Sequence, residues 1–386
     1  MGHSLSLIRG MLLARQRDPR TGPGEKTEIM TTSQVQHHPP TASVRFIERV
    51  PLITALAAGV YAIGAFFFLL TQGSLPLVPA EALSHELNGP LGAVLAYVLP
   101  SLALLGALIG LAIHYRLLPA RAVALGSTIF ASVYGAVVLL TVVDSTILAT
   151  LGYLPFLTVK SLTNPGFLQT AINLPWPIVG HQMACIIGVA LWILTATVAV
   201  RRSSGACVAC GRHSSAATAR RWAKPVTIAA AIIPGVYAVT RFAWAAGIPL
   251  GIEPAFLQQM QNTGQVYAGL GLASMAVLGV LLTLGLIQRW GSVVPHWIPF
   301  VGGRRVPVLL AVIPAGFVSL IAVPAGAEMI RVSTIRGTGG IPFDWANWAT
   351  IGPTLLWIPW GVLLGAATLA YYLNHRGSCP RCGLSG

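Results

Sequence analysis

Charge is what this sequence has least of. Asp, Glu, Lys and Arg make up 9% of its 386 residues, and no more than ten are acidic. Soluble domains carry about a quarter charged residues, so a water-soluble globule is excluded. Acids this sparse also exclude a two-metal carboxylate site. Catalytic fingerprints are missing as well. There is no Gly-x-x-x-x-Gly-Lys-Ser/Thr loop, no Gly-x-Gly-x-x-Gly after a strand, no His-Glu-x-x-His and no Gly-x-Ser-x-Gly, which removes the common nucleotide, zinc-protease and serine-hydrolase readings. No secretory leader is expected, because SLSLIRGMLLA is interrupted by Arg9 and lacks a small-residue cleavage site. Cysteine is nearly absent too, at five residues.

What fills the chain is hydrocarbon, with 55% hydrophobic residues and a mean hydropathy of +0.73. About 20 apolar residues cross a bilayer core. Eight such stretches recur, at 52–71, 91–113, 122–143, 178–200, 226–246, 265–287, 306–324 and 351–373. The expected fold is all-α and integral to the membrane, with eight transmembrane helices. Lys and Arg are retained on the cytoplasmic side during insertion. With the N-terminus inside, Lys160, Arg241, Arg331 and Arg336 are the only ones of 24 basic residues that fall outside or in outer helix ends. Both termini are therefore expected in the cytoplasm. The net charge of +14 reflects this asymmetry and attraction to anionic inner-leaflet lipids, and needs no nucleic acid.

The chain reads as a tandem duplication. Gly59-Val60-Tyr61-Ala62 recurs as Gly235-Val236-Tyr237-Ala238, and Ser101, Ala103, Leu105, Gly106 and Arg116 reappear as Ser274, Ala276, Leu278, Gly279 and Arg289. Arg121, Leu125, Ile129 and Ala131 map onto Arg305, Leu309, Ile313 and Ala315, and Gly188-Val189 onto Gly361-Val362. Between these last two matches, Gly152-x-Leu154-Pro155-Phe156 returns as Gly339-x-Ile341-Pro342-Phe343. The expected organisation is a disordered cytoplasmic tail at 1–48, a first four-helix repeat at 49–212, a basic linker at 213–224 and a second repeat at 225–386. Four helices is an even number, so the repeats are parallel, related by an axis along the membrane normal.

Four of the five cysteines fall in matching places, in GACVACGR at 205–212 and GSCPRCGL at 377–384. A Cys-x-x-Cys-Gly turn lets two thiolates face one metal ion, and a tetrahedral zinc site needs four ligands. The cytoplasm keeps thiols reduced, which disfavours a disulfide. Cys207, Cys210, Cys379 and Cys382 are thus candidate ligands of one shared zinc. The second copy resembles the knuckle of zinc-ribbon proteins. The first lacks its proline, and the pairs are much farther apart than in a compact zinc domain. A redox pair, two separate sites and no metal therefore stay open, with His213 and His375 as spare ligands. Cys185 reads as a small packing residue.

Ionisable groups at membrane depth point to function by default. Asp144 and Glu328 occupy matching places toward the outer ends of the third and seventh stretches, His181 begins the fourth, and Arg241 lies in the outer half of the fifth. Together they are the candidate lining of an outward-facing solute or ion pathway, with Glu253 or Glu328, or a backbone carbonyl, as the expected partner of Arg241. The alternative is that the two acids cap helix ends and Arg241 snorkels.

Trp222, Trp290 and Trp297 fit an inner aromatic belt and Trp176, Trp345 and Trp348 an outer one, while Trp192, Trp357 and Trp360 read as packing residues. GALIG at 106–110 allows close helix approach. The segment 147–176, broken by Pro155, Pro165 and Pro175, is expected to run irregularly over the outer surface. In the tail, the myristoylation-like MGHSLS is read as chance, and Met30 is a second place where the protein could start.

The stretch from Gly235-Val236-Tyr237-Ala238 to Gly247-Ile248-Pro249-Leu250, the segment QRWGSVVPHWIPFVGGRRVPV and the terminal Cys-x-x-Cys-Gly carry a resemblance to uncharacterised multi-pass membrane proteins of high-GC bacteria. The resemblance implies two four-helix repeats in a bacterial inner membrane, each ending in a cysteine knuckle, and supplies no activity. Three functions are carried forward. The first is a small-solute or ion transporter. The second is a non-catalytic scaffold whose knuckles and basic loop dock a cytoplasmic protein partner. The third is an enzyme acting at the outer face.

Overall fold

The computed structural model describes residues 42–72, 90–162, 164, 166, 176–212, 219–336, 338–379 and 381–384. Its helices are α1 (Ala42–Gln72), α2 (Pro90–His114), α3 (Ala120–Thr141), α4 (Thr146–Ser161), α5 (Trp176–Ser203), α6 (Ala219–Ala245), α7 (Pro254–Asn262), α8 (Gln265–Gly285), α9 (Val308–Arg331), α10 (Gly352–Leu355) and α11 (Trp357–His375). Seven of them, α1, α2, α3, α5, α6, α8 and α9, are long and apolar enough to cross a membrane. They leave large apolar side chains such as Val60, Ile63, Leu70 and Leu310 exposed, a surface that lipid accepts and water does not.

The eighth expected stretch divides into α10 and α11. Pro359 has no N–H to give the Leu355 carbonyl, so a continuous helix fails there and restarts at Trp357, with the proline in the tolerated first turn. The 19-residue α11 is about 28 Å long. Its apolar run is diluted by Trp357, Trp360, Tyr371, Tyr372 and Asn374. Packing makes up the difference. Gly361 and Gly365, one turn apart, lie against Ser319 of α9, where an added Cβ would come within 2.8 Å of the Ser319 carbonyl and 2.6 Å of its hydroxyl. Ser319 Oγ donates to the Gly361 carbonyl at 2.8 Å, the small-residue contact that joins helices in lipid.

Helix pairing runs the same way twice. α1 packs on α2 and α5, and α3 on α5; α6 packs on α8 and α11, and α9 on α11. GALIG works as expected, on two faces: Gly110 admits Ala55 of α1, and Gly106 admits Phe130 and the fully buried Trp192. α9 joins the two sets, with Ile321 buried in one cluster with Leu99, Val138, Val143, Ile147, Cys185 and Val189.

The outer segment differs from expectation. Residues 146–161 form α4, which runs through Pro155 and packs on α8, Gly152 beneath Leu272 and Phe156 over Gly271. An apolar helix face with a partner outweighs the one hydrogen bond the proline removes. Pro165 and Pro175 lie outside the described residues, and Pro177 takes the second position of α5, where a missing N–H costs nothing. The matching motif at 339–343 is no helix: Gly339 and Gly340 have φ of +61° and +85°. Of the tail and the linker, residues 1–41 and 213–218 are outside the described residues; α1 begins at Ala42 and α6 at Ala219.

Candidate functional site

The cysteines meet at one end of the bundle. α5 stops at Ser203 with Arg201 and Arg202 in its last turn, and the chain then folds into a small hydrogen-bonded ring. Cys207 N donates to the Arg212 carbonyl at 3.3 Å, and Gly211 N donates to the Cys207 carbonyl at 2.6 Å. After α11 the same ring forms again, from Cys379 N to the Leu384 carbonyl at 3.1 Å and from Gly383 N to the Cys379 carbonyl at 2.9 Å. Each ring closes through a glycine in the left-handed region, Gly211 at +71° and Gly383 at +70°, which explains the glycine after each Cys-x-x-Cys.

Cys207 Sγ lies 3.8 Å from Cys379 Sγ, and Cys210 Sγ lies 3.5 Å from Cys382 Sγ. All four sulfurs are within 4.8 Å of one another, and none is in a disulfide. A metal bound tetrahedrally at the usual zinc–sulfur distance separates its sulfurs by about 3.8 Å, so the four fit a metal ion. Arginines lace the rings together crosswise. Arg212, from the first, donates to the carbonyls of Arg376 and Gly377, both at 3.1 Å, and to that of Leu384. Arg376, from the second, donates to the Cys210 carbonyl, and Arg201 donates to the Val208 and Ala209 carbonyls at 3.0 and 3.3 Å. Four thiolates around a dication would leave two negative charges, which these guanidinia are placed to offset.

The thiols are not alike. Burial pushes Cys379 up, but N–H groups of Cys382 and Arg381 outweigh it and bring the thiol down to about 7. Burial, reinforced by the neighbouring thiols, pushes Cys210 up to about 12, and burial also raises Cys382. A cation bound between the sulfurs would favour their thiolate forms. His375 is elsewhere, stacked on Tyr371 with Nδ1 at 3.0 Å from the Tyr371 carbonyl. His213 lies outside the described residues.

The membrane-depth residues have different partners. Asp144 Oδ1 accepts from Thr146 N at 2.7 Å and from Gln182 Nε2 at 3.0 Å, tying the start of α4 to α5. His181 is buried, its Nε2 at 3.3 Å from the Tyr61 hydroxyl and 3.7 Å from Cys185 Sγ. Cys185 is packed in the core, as expected. Glu328 is buried and pairs with Arg331 at 2.7 Å; Arg331 also donates to the Leu140 carbonyl at the end of α3.

Arg241, only 8% exposed, is held by carbonyls and not by Glu253 or Glu328. Nη1 donates to Thr240 Oγ1 at 3.1 Å and to the Ala349 carbonyl at 2.8 Å, and Nη2 to the Thr350 carbonyl at 2.9 Å. The guanidinium carbon is 4.5 Å from the Tyr237 ring centre and 4.1 Å from that of Trp244, a cation–π arrangement. The group lines a pocket of about 390 Å³ with Tyr153, Phe256, Met260, Gln265 and Ile341. The loop that brings it carbonyls is organised by two residues the sequence reading passed over. Asn347, buried, donates from Nδ2 to the Asp344 carboxylate at 3.1 Å and accepts from Glu253 N at 2.9 Å. Those bonds, with the Asn347 and Ala346 N–H groups, hold the Asp344 carboxyl below its usual range. The signal was the Asp-Trp-Ala-Asn run, an Asx-type turn.

Comparison with family models, with curated proteins and with solved structures found no match for the chain.

Proposed function

We propose that this chain is an eight-span protein of a bacterial inner membrane, a tandem pair of parallel four-helix repeats closed at the cytoplasmic end by one zinc ion, and that it binds and moves a small solute or ion. The eight-span reading is supported by parity. Glu48, before the first span, pairs with Arg381 of the second knuckle at 2.5 Å, and the two knuckles touch. The chain must therefore return to the same side twice. Between the knuckles α6, α8 and α9 make three crossings, and α11 supplies the fourth. The basic residues collect at the knuckle end, which favours a cytoplasmic placement, and four thiolates at tetrahedral spacing in a reducing compartment favour zinc.

One observation carries the transporter reading. The end opposite the clasp holds a buried cation, Arg241, in the wall of a pocket that Tyr153 of α4 also lines, so the pocket lies where the two halves of the chain meet, a common place for a substrate site. Vesicles containing the purified protein should take up a charged solute faster than protein-free vesicles. Uptake equal to the blank for a panel of organic anions, organic cations and inorganic ions would sink this reading. The scaffold reading would then stand, favoured by Trp297 and Phe300, 82% and 95% exposed between Arg289 and Arg304–Arg305 in the loop before α9, a surface suited to anionic lipid headgroups or a protein partner.

A further inference from the structure

We infer that the Arg241 pocket binds a small monocarboxylate with an apolar body. The inference deepens the transporter reading by naming the solute class, and rests on that reading only for what happens after binding.

Charge sets the sign of the ligand. Among the described residues, the groups that touch the guanidinium are neutral: a threonine hydroxyl, two backbone carbonyls and two aromatic side chains, the Tyr237 phenol among them. Arg331, the comparable arginine of α9, has Glu328 beside it. A cation this deeply buried with neutral partners is costly, and an anion entering the pocket would relieve the cost. One positive charge calls for one negative charge, because a dianion would carry its surplus into the same apolar surroundings.

Geometry sets the head group. Arginine has five N–H donors, and three are spent on Thr240, Ala349 and Thr350. The carbonyls of Ala349 and Thr350 occupy the end formed by Nη1 and Nη2. Nε and the remaining Nη2 hydrogen form the other edge of the fork, whose spacing matches two carboxylate oxygens; the Tyr237 hydroxyl, which also hydrogen-bonds the guanidinium, is the neutral group an entering carboxylate would displace. Gln265 and Thr350 add polar groups to the wall, while Phe256, Met260, Val266 and Ile341 make the rest apolar. About 390 Å³ is in the range of pockets for small organic ligands and far more than a bare inorganic ion fills.

The test uses full-length protein in discs of zwitterionic lipid, with hexanoate as probe, isothermal titration as readout and empty discs to subtract partition into lipid. Hexanoate should bind, whereas hexanol and hexylamine should not. Arg241→Gln should weaken hexanoate binding by about tenfold or more. Metal content at the opposite end reports folding, and Arg241→Gln should keep it. Should that variant lose its metal, Gly269→Leu is the second arm: it fills the pocket from α8, its Cβ meeting Arg241 Cδ at 3.6 Å, and replaces none of the groups that bond the guanidinium, and it too should abolish binding. Absence of hexanoate binding to the wild type, equal binding of hexanol, or undiminished binding in a folded variant would each overturn the proposal. So would a short-chain phosphatidylglycerol that binds where hexanoate does not, since that assigns the pocket to a lipid phosphate. Because titration is read at equilibrium, hexanoate that binds without crossing the vesicle wall fails only the transport reading, and uptake of another solute class without hexanoate binding fails only this one.

Discussion

The two ends of the bundle use arginine in opposite ways. At the clasp, Arg201, Arg212 and Arg376 surround four thiols, so a metal that displaced the thiol protons would leave its negative charge beside waiting cations. At the far end Arg241 is buried among carbonyls, a hydroxyl and aromatic rings. The clasp is built from two copies of one short ring, each stable by its own hydrogen bonds, and is completed by their meeting. The far end depends on contacts between stretches distant in the chain, such as Arg241 of α6 and Glu253 with the loop before α10. Charge placed beside a partner of opposite sign fastens structure together; the same charge left among neutral groups is a place for something else to bind.

The strongest way to break this contrast is to remove half of the clasp. Cys379→Ser with Cys382→Ser leaves two thiolates, too few for a closed site. Metal analysis should fall from one zinc per chain to none, and the unfolding midpoint should drop by ~5 °C or more as the linkage is lost. One zinc retained would mean the pairs bind separately. At the far end, Asn347→Ala removes both a donor to Asp344 and the acceptor for Glu253 N. It should cost about 1–3 kcal/mol in thermal or denaturant unfolding, with metal content unchanged. Loss of metal in that variant would show that the ends are coupled. The smallest effect is expected back at the clasp. Arg381→Gln deletes an ion pair whose two side chains are each 42% exposed, and it should shift stability by no more than about 0.5 kcal/mol while all metal is kept.

The clasp was legible in the sequence because its determinants are local. A Cys-x-x-Cys-Gly ring closes within six residues, and the repeat, read from Gly59 to Gly361, implied that two rings would end on one side. The spans were legible because hydrocarbon selects for apolar residues whatever their neighbours. Legibility failed where distant chain decides. Nothing near Arg241 names Ala349 and Thr350, over a hundred positions away, and attention went to carboxylates because they are the partners a sequence displays; carbonyls belong to every residue. Pro155 misled for the same reason, since the gain from packing α4 on α8 lies in Leu272 and Gly271. The motif shared by Gly152 and Gly339 then took two shapes, because similar residues met different surroundings.

The clasp also imposes an order in time. The first knuckle is synthesised before α6, α8, α9 and α11, and its two sulfurs wait while those helices follow. Two thiolates hold a metal ion poorly, and the ring that supplies the other two follows α11 in the chain. A four-sulfur site can therefore close only after the last of these helices has been made. A chain whose two knuckles end up apart never closes the site, and leaves open to reaction Cys210 and Cys379, which the finished molecule buries.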